Sequence, residues 1–198
     1  MISELSAKVW DNASFHEASR RIELAWLRRE FGITEEMAIT AEDASKLIRA
    51  AAILACSSDQ RHRKAAFRVA TCTYELLGTS TLPLDQALRV VLARLGNFPS
   101  FSTRSEVASA QAALPLVLAT EEIASADRRE IAVNQQTIYL TDFQHDLWTN
   151  LVARKRIALA APTSAGKSFV WPAAGFVDTE IGCFMKPEVA YAAKTVWS

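Results

Sequence analysis

Residues 157–168 read Ile157-Ala158-Leu159-Ala160-Ala161-Pro162-Thr163-Ser164-Ala165-Gly166-Lys167-Ser168. Ile157 to Ala160 is a short apolar run, consistent with a buried parallel strand. Ala161 to Ser168 follows at once with the spacing of a phosphate-binding loop, Ala161 standing where that motif ordinarily begins with glycine. A nucleoside triphosphate concentrates several negative charges, and the groups that hold one are present here. Backbone N–H groups of Ser164, Ala165, Gly166, Lys167 and Ser168 can surround the phosphates, and a following helix would add its positive N-terminal end. Gly166 lets the loop close, the Lys167 ammonium reaches between the β- and γ-phosphates, and the Ser168 hydroxyl is a ligand for Mg²⁺.

Working back from the loop, Arg154-Lys155-Arg156 puts positive charge at the C-terminal end of a helix predicted over Phe143 to Ala153. Phe143, Leu147 and Leu151 form its apolar stripe, and Thr141-Asp142 supplies its cap. Before it, Thr137-Ile138-Tyr139-Leu140-Thr141 is β-branched and aromatic and predicts a short strand. The strand-then-loop order is the context a phosphate loop requires, provided a helix comes next. Working forward, Pro172 falls four residues after Ser168, near the limit of the first turn that tolerates proline, and Gly175 follows it.

The opening Ala161-Pro162-Thr163 of the loop resembles motif I of superfamily 2 helicases, closest to the DEAD/DEAH-box enzymes and their Ski2-like branch. Leu140-Thr141-Asp142-Phe143-Gln144-His145-Asp146-Leu147-Trp148 resembles the family's Q motif, with Gln144 lying 23 residues before Lys167. The resemblance spans about residues 137–169, roughly a sixth of the chain. It implies ATP and Mg²⁺ as cofactors, and a RecA-like α/β domain. It makes Gln144 the reader of the adenine edge, through an amide that both donates and accepts. Thr163, Ser164, Ala165, Gly166, Lys167 and Ser168 would hold the phosphates, and Ser168 the metal. DNA or RNA would be the partner of the parent enzyme, moved as the cleft between two RecA-like domains opens and closes. The family also needs an acidic motif for Mg²⁺ and water, and arginine fingers from a second domain. Only 30 residues follow Ser168, and Asp178-Thr179-Glu180 lies too near the loop to serve. The expectation is therefore the N-terminal part of an ATP-dependent helicase, cut short, which binds ATP without hydrolysing it alone; no catalytic residue is assigned. The alternative is a helical protein-interaction or regulatory module with a vestigial nucleotide loop.

Residues 1–135 have a different grammar and are expected to form an α-helical accessory domain before an incomplete ATP-binding domain at 136–198. The fold class is thus mainly α: a helical bundle followed by the start of a RecA-like domain. Helices are predicted over Glu17–Phe31 with Gly32 as C-cap, from Thr34 or afresh from Ala41 through Ala55, and over Asp59–Leu77 up to Gly78. In the last of these, Phe67, Ala70, Thr71 and Tyr74 share a helical stripe. Pro83 suits a first turn, and Leu84–Leu95 follows with Leu88, Val91, Leu92 and Leu95 on one side. Gly96-Asn97 ends it, Phe98-Pro99 predicts an extended exit, and Arg104–Ser125 reads as a helix kinked or broken at Pro115.

Charge is balanced, with 22 Lys and Arg against 22 Asp and Glu, so the whole molecule has no pull on a polyanion. A local patch remains open: Arg61, Lys64 and Arg68 share one helix face, with Arg63 beside them, although a solvated face is the commoner meaning of such a run. His16 and His62 are isolated and read as structural. Cys56, Cys72 and Cys183 form no CxxC pair, which argues against a disulfide framework or zinc site and for a reducing, cytoplasmic location. No apolar stretch is long enough for a membrane span, which needs about 18 residues.

Overall fold

The structure, a computed structural model, describes residues 2–33, 39–77, 84–101, 103–133 and 136–153. Its contacts divide the chain into two compact units, residues 1–128 and 129–198. The described residues are mainly α, with a single two-stranded antiparallel hairpin.

The first unit contains α1 (Ile2–Trp10), α2 (Ala13–Glu30), α3 (Ala41–Leu54), α4 (Gln60–Leu77), α5 (Leu84–Arg94), α6 (Ser105–Ser109) and α7 (Leu116–Asp127). Short polar residues start the helices. The Asn12 side chain accepts from Ser14 N–H at 3.0 Å to cap α2, and Thr40 Oγ1 accepts from Asp43 N–H at 3.1 Å to cap α3. Of the two expected starts for α3, the one at Ala41 is observed; Thr34-Glu35-Glu36 lies outside the described residues.

Two helices end in the same way. Gly32 has φ +67°, its N–H donates to Arg29 O, and Ile33 N–H reaches back to Arg28 O. Gly96 has φ +68°, its N–H donates to Ala93 O, and Asn97 N–H reaches back to Leu92 O. This paired pattern satisfies carbonyls that a helix end leaves open, and it needs the left-handed backbone that glycine adopts freely.

The core lies between α2, α3, α4 and α5. Ile22, Leu54, Val69, Leu88, Val91 and Leu92 are fully buried. The close contact of α3 with α4 is made by small residues, with Ala51 and Ala55 on one helix end and Ala66 and Ala70 on the other all excluded from solvent. That choice corrects the stripe expected for α4. Its buried face is His62, Ala65, Ala66, Val69, Ala70, Cys72, Thr73 and Tyr74, so Ala70 and Tyr74 of the expected stripe are in it, while Phe67 is 40% exposed. Alanine and valine let the backbones approach, so the face of small side chains turns inward and the large Phe67 is rotated out.

One further expectation changes, and another is resolved between its two alternatives. Phe98-Pro99 begins a 3-10 turn, Phe98–Phe101, instead of an extended exit, because the fixed φ of proline also suits a first turn. The region 104–125 is broken outright: α6 runs into a second 3-10 turn at Ala110–Ala113, Leu114 is extended, and Pro115 is the N-cap of α7. A residue preceding proline is pushed towards extended backbone, which makes this a break and not a kink.

In the second unit β1 (Glu130–Val133) pairs antiparallel with β2 (Gln136–Tyr139), with Glu130 opposite Tyr139 and Ile131 opposite Ile138. The 135/136 position expected to separate domains falls inside this hairpin. Helix α8 (Asp142–Val152) follows, and the buried apolar residues described in this unit are Ile131 of β1, Leu140 after β2 and Leu147 of α8. No parallel sheet occurs among the described residues. The strand Ile157–Ala160 expected to start a RecA-like domain lies outside them.

Candidate functional site

Of the residues expected to hold a nucleotide, Gln144 is the one that the described structure contains. Thr163, Ser164, Ala165, Gly166, Lys167 and Ser168 lie outside the described residues. Gln144 occupies the third position of α8, in a reciprocal cap. Thr141 Oγ1 accepts from Gln144 N–H at 3.3 Å, and Gln144 Oε1 accepts from Thr141 N–H at 2.9 Å. Each side chain satisfies a backbone donor that the helix start leaves open. The cap is anchored on the hairpin: Leu140 N–H donates to Arg129 O at 3.0 Å, and the Arg129 guanidinium pairs with the Asp142 carboxylate in the first turn. The amide of Gln144 is therefore held in a fixed orientation, with one Oε1 lone pair and the Nε2 hydrogens lying outside the cap.

The cationic residues around α4 separate into two roles. Arg63 points inward, where Nη1 donates to Ala55 O and Nη2 to Leu95 O, both at 3.0 Å, so one side chain closes the C-terminal ends of α3 and α5. Arg61, Lys64 and Arg68 are exposed on the outer face. Arg61 pairs with Asp59 at 2.7 Å and Arg68 with Glu23 at 3.7 Å, while Lys64 has no such acid among the described residues. The Arg61 hydrogen bonds hold the Asp59 carboxyl down at about 2.

Ser57, His62 and Asp59 have the composition of a hydrolytic triad, and their geometry is a different one. Ser57 Oγ lies 2.9 Å from His62 Nδ1 and accepts from Asp59 N–H at 3.1 Å, while His62 Nε2 is 3.9 Å from Asp59 Oδ2. Ser57 and His62 are both buried, and the His62 ring stacks on Trp10 with centroids 4.7 Å apart. This is a helix start tied to α1. His16 likewise bonds to Trp10 O.

The thiols are equally unsuited to nucleophilic work. Burial raises Cys56, and it pushes Cys72 up to about 11, so neither is a thiolate at neutral pH. A shallow depression of about 390 Å³ is lined by Tyr74, Glu75, Thr103, Arg104 and Glu106. Arg104 pairs with Glu75 there at 2.6 Å, and burial, followed by the nearby Asp85 carboxylate, raises the Tyr74 phenol to about 12. Among the described residues, no cluster of His, Cys, Asp and Glu is placed to hold a metal ion, and no helix is long and apolar enough to cross a membrane.

One buried constellation had little signal in the sequence. Arg89 interrupts the apolar run of α5, and its guanidinium meets the Glu122 carboxylate of α7 through two bonds of 2.8 and 2.6 Å. It also donates to Val107 O and Ala108 O and lies 4.3 Å from the Phe101 ring centroid. An arginine inside an apolar stripe was the available hint; the position of Glu122, beyond a broken helix, was not readable. Every donor–acceptor match points to scaffolding, since the pair is closed to solvent.

Comparison with protein-family models, with curated proteins and with solved structures finds no match to this chain.

Proposed function

We propose that the chain binds ATP with Mg²⁺ through the loop Ala161–Ser168, as the nucleotide-binding start of a RecA-like domain in a superfamily 2 helicase-type motor, with the helical unit as its accessory part. The observation that carries this reading is the order of elements in the sequence: an apolar run, then a loop holding Gly166, Lys167 and Ser168, preceded by Gln144 at 23 residues. The cap at α8 supports it. Gln144 Oε1 has a second lone pair beyond the one taken by Thr141 N–H, so the amide can accept from the adenine amino group and donate to its ring nitrogen while still capping the helix. Pre-ordering of this kind lowers the cost of binding. The residues assigned here are binding residues, and none is assigned to hydrolysis.

Gln144→Glu separates the two roles of the side chain. A glutamate at this position keeps the reciprocal cap and removes the Nε2 donor. ATP affinity should fall by about tenfold, the effect of one lost hydrogen bond, with the thermal midpoint unchanged. Unaltered ATP affinity in that variant would remove Gln144 from the site.

A second reading, a protein-interaction module, is favoured by the outer face of α7, where Leu116 is 82%, Val117 78% and Ile123 54% exposed. On that reading Lys167→Ala leaves partner binding intact.

A further inference from the structure

We infer that the outer face of α4 is a binding surface for single-stranded nucleic acid, built from Arg61, Lys64, Phe67 and Arg68. The inference stands on the first unit alone and does not depend on the nucleotide loop.

At 100° per residue these four positions fall within about 120° of the helix circumference, and at ~1.5 Å rise per residue the three cations are spread over about 10 Å of its length. All four are solvent-facing: the Arg61 side chain is 74% exposed and that of Arg68 is 64% exposed. From Gln60 to Thr71 the helix carries no acid of its own. The acids that approach the face are Asp59, just before α4, and Glu23 of α2. The arginine of each pair is exposed and its acid half-buried, and ion pairs at the surface are weak enough for a phosphate to exchange with the carboxylate. Lys64, between the two arginines, needs no such exchange.

Phe67 decides the class of polyanion. A phenylalanine that could have joined the core is instead presented to solvent one turn from Lys64 and adjacent to Arg68. Cations that track a backbone, with an aromatic ring available for stacking, are what a single strand requires, because its bases expose their faces. A duplex hides those faces within its stack, and its backbone would be served by the cations alone. The fourth cation of the run, Arg63, is excluded from the surface by its bonds to Ala55 O and Leu95 O.

The test is fluorescence anisotropy of the full chain with labelled oligo-dT and oligo-U across a salt series. Three phosphate contacts predict a slope of about −2 in log affinity against log salt, at ~0.7 per contact on a single strand. Lys64→Ala and Arg68→Ala should each reduce the slope by about 0.7, and Lys64→Glu should lower affinity at least tenfold at low salt. Phe67→Ala should lower affinity by roughly 5- to 100-fold and leave the slope unaltered, since stacking releases no counterions. Lys167→Ala should change none of these values, which keeps the outcome separate from that of the nucleotide reading. Thermal unfolding of each variant checks that the exposed substitutions leave the fold intact. Absence of low-salt binding, or wild-type affinity in Lys64→Glu, would overturn the assignment. So would equal binding of duplex DNA or anionic vesicles that Phe67→Ala does not weaken, because that would be attraction to charge alone.

Discussion

Glu122→Ala should destabilise the helical unit more than any substitution of a surface charge. Arg89 makes four hydrogen bonds, two to Glu122 and two to the Val107 and Ala108 carbonyls, and both charged side chains are about 6% exposed. Removing the carboxylate leaves the guanidinium buried without its counter-charge, a change that costs about 3–5 kcal/mol. Domains are stable by only ~5–15 kcal/mol, so a large share of the margin is lost. For a chain of this length, each kcal/mol lowers the midpoint by roughly 2–4 °C, which gives a fall of about 6–20 °C. Urea unfolding followed by far-ultraviolet circular dichroism reads the change. Arg89→Met combined with Glu122→Leu should recover most of the loss, because apolar replacement of a whole buried pair is often neutral or better. The exposed Lys46–Glu42 pair on α3 is the control, and its removal should leave the unfolding midpoint nearly unchanged. If Glu122→Ala behaved like that control, the buried pair would not be what joins α5 to α7.

Other substitutions probe different parts of the account. Gly32→Ala meets no atom within 4 Å, so its cost is the left-handed backbone alone, about 1–2 kcal/mol by equilibrium unfolding, and Gly32→Asn should cost less. Arg63→Ala should cost about 1–3 kcal/mol by leaving the Ala55 and Leu95 carbonyls without their donor, whereas Lys64→Ala should be neutral to stability. Asp59 titrates at about 2 in the fold against an ordinary 3.8, so its contribution is whole above 3.8 and is lost as pH falls towards 2. Unfolding midpoints of Asp59→Asn should accordingly lie below wild type at neutral pH and converge on it near pH 2.

Where local chemistry decides structure, the sequence was sufficient. Gly32 and Gly96 both mark helix ends and Thr141 caps α8; the choice between Thr34 and Ala41 stayed open, because acids follow both threonines, and it is the Thr40 cap in the structure that marks the start at Ala41. Pro115 announced an interruption, and its form followed from the extended Leu114 before it. What periodicity could not decide was which of two apolar stripes on α4 faces the core. Phe67 is the more hydrophobic choice, yet alanine packing against α3 wins, because close backbone approach buries more of both helices. The strand β1 is four residues long and is defined by its hairpin partner β2, a pairing that composition does not carry. At the site, the cap was half legible: Thr141 was expected to start α8, whereas Gln144, expected as an adenine reader, is the closing member of that cap.

In the proposed function, Lys167 and its loop bind a nucleoside triphosphate. Isothermal titration of the full chain with Mg·ATP, beside Lys167→Ala, tests it most directly. Saturable one-to-one binding to wild type is expected, lost in Lys167→Ala while the unfolding midpoint is unchanged. Absence of binding to wild type, or equal binding to both proteins, would contradict it.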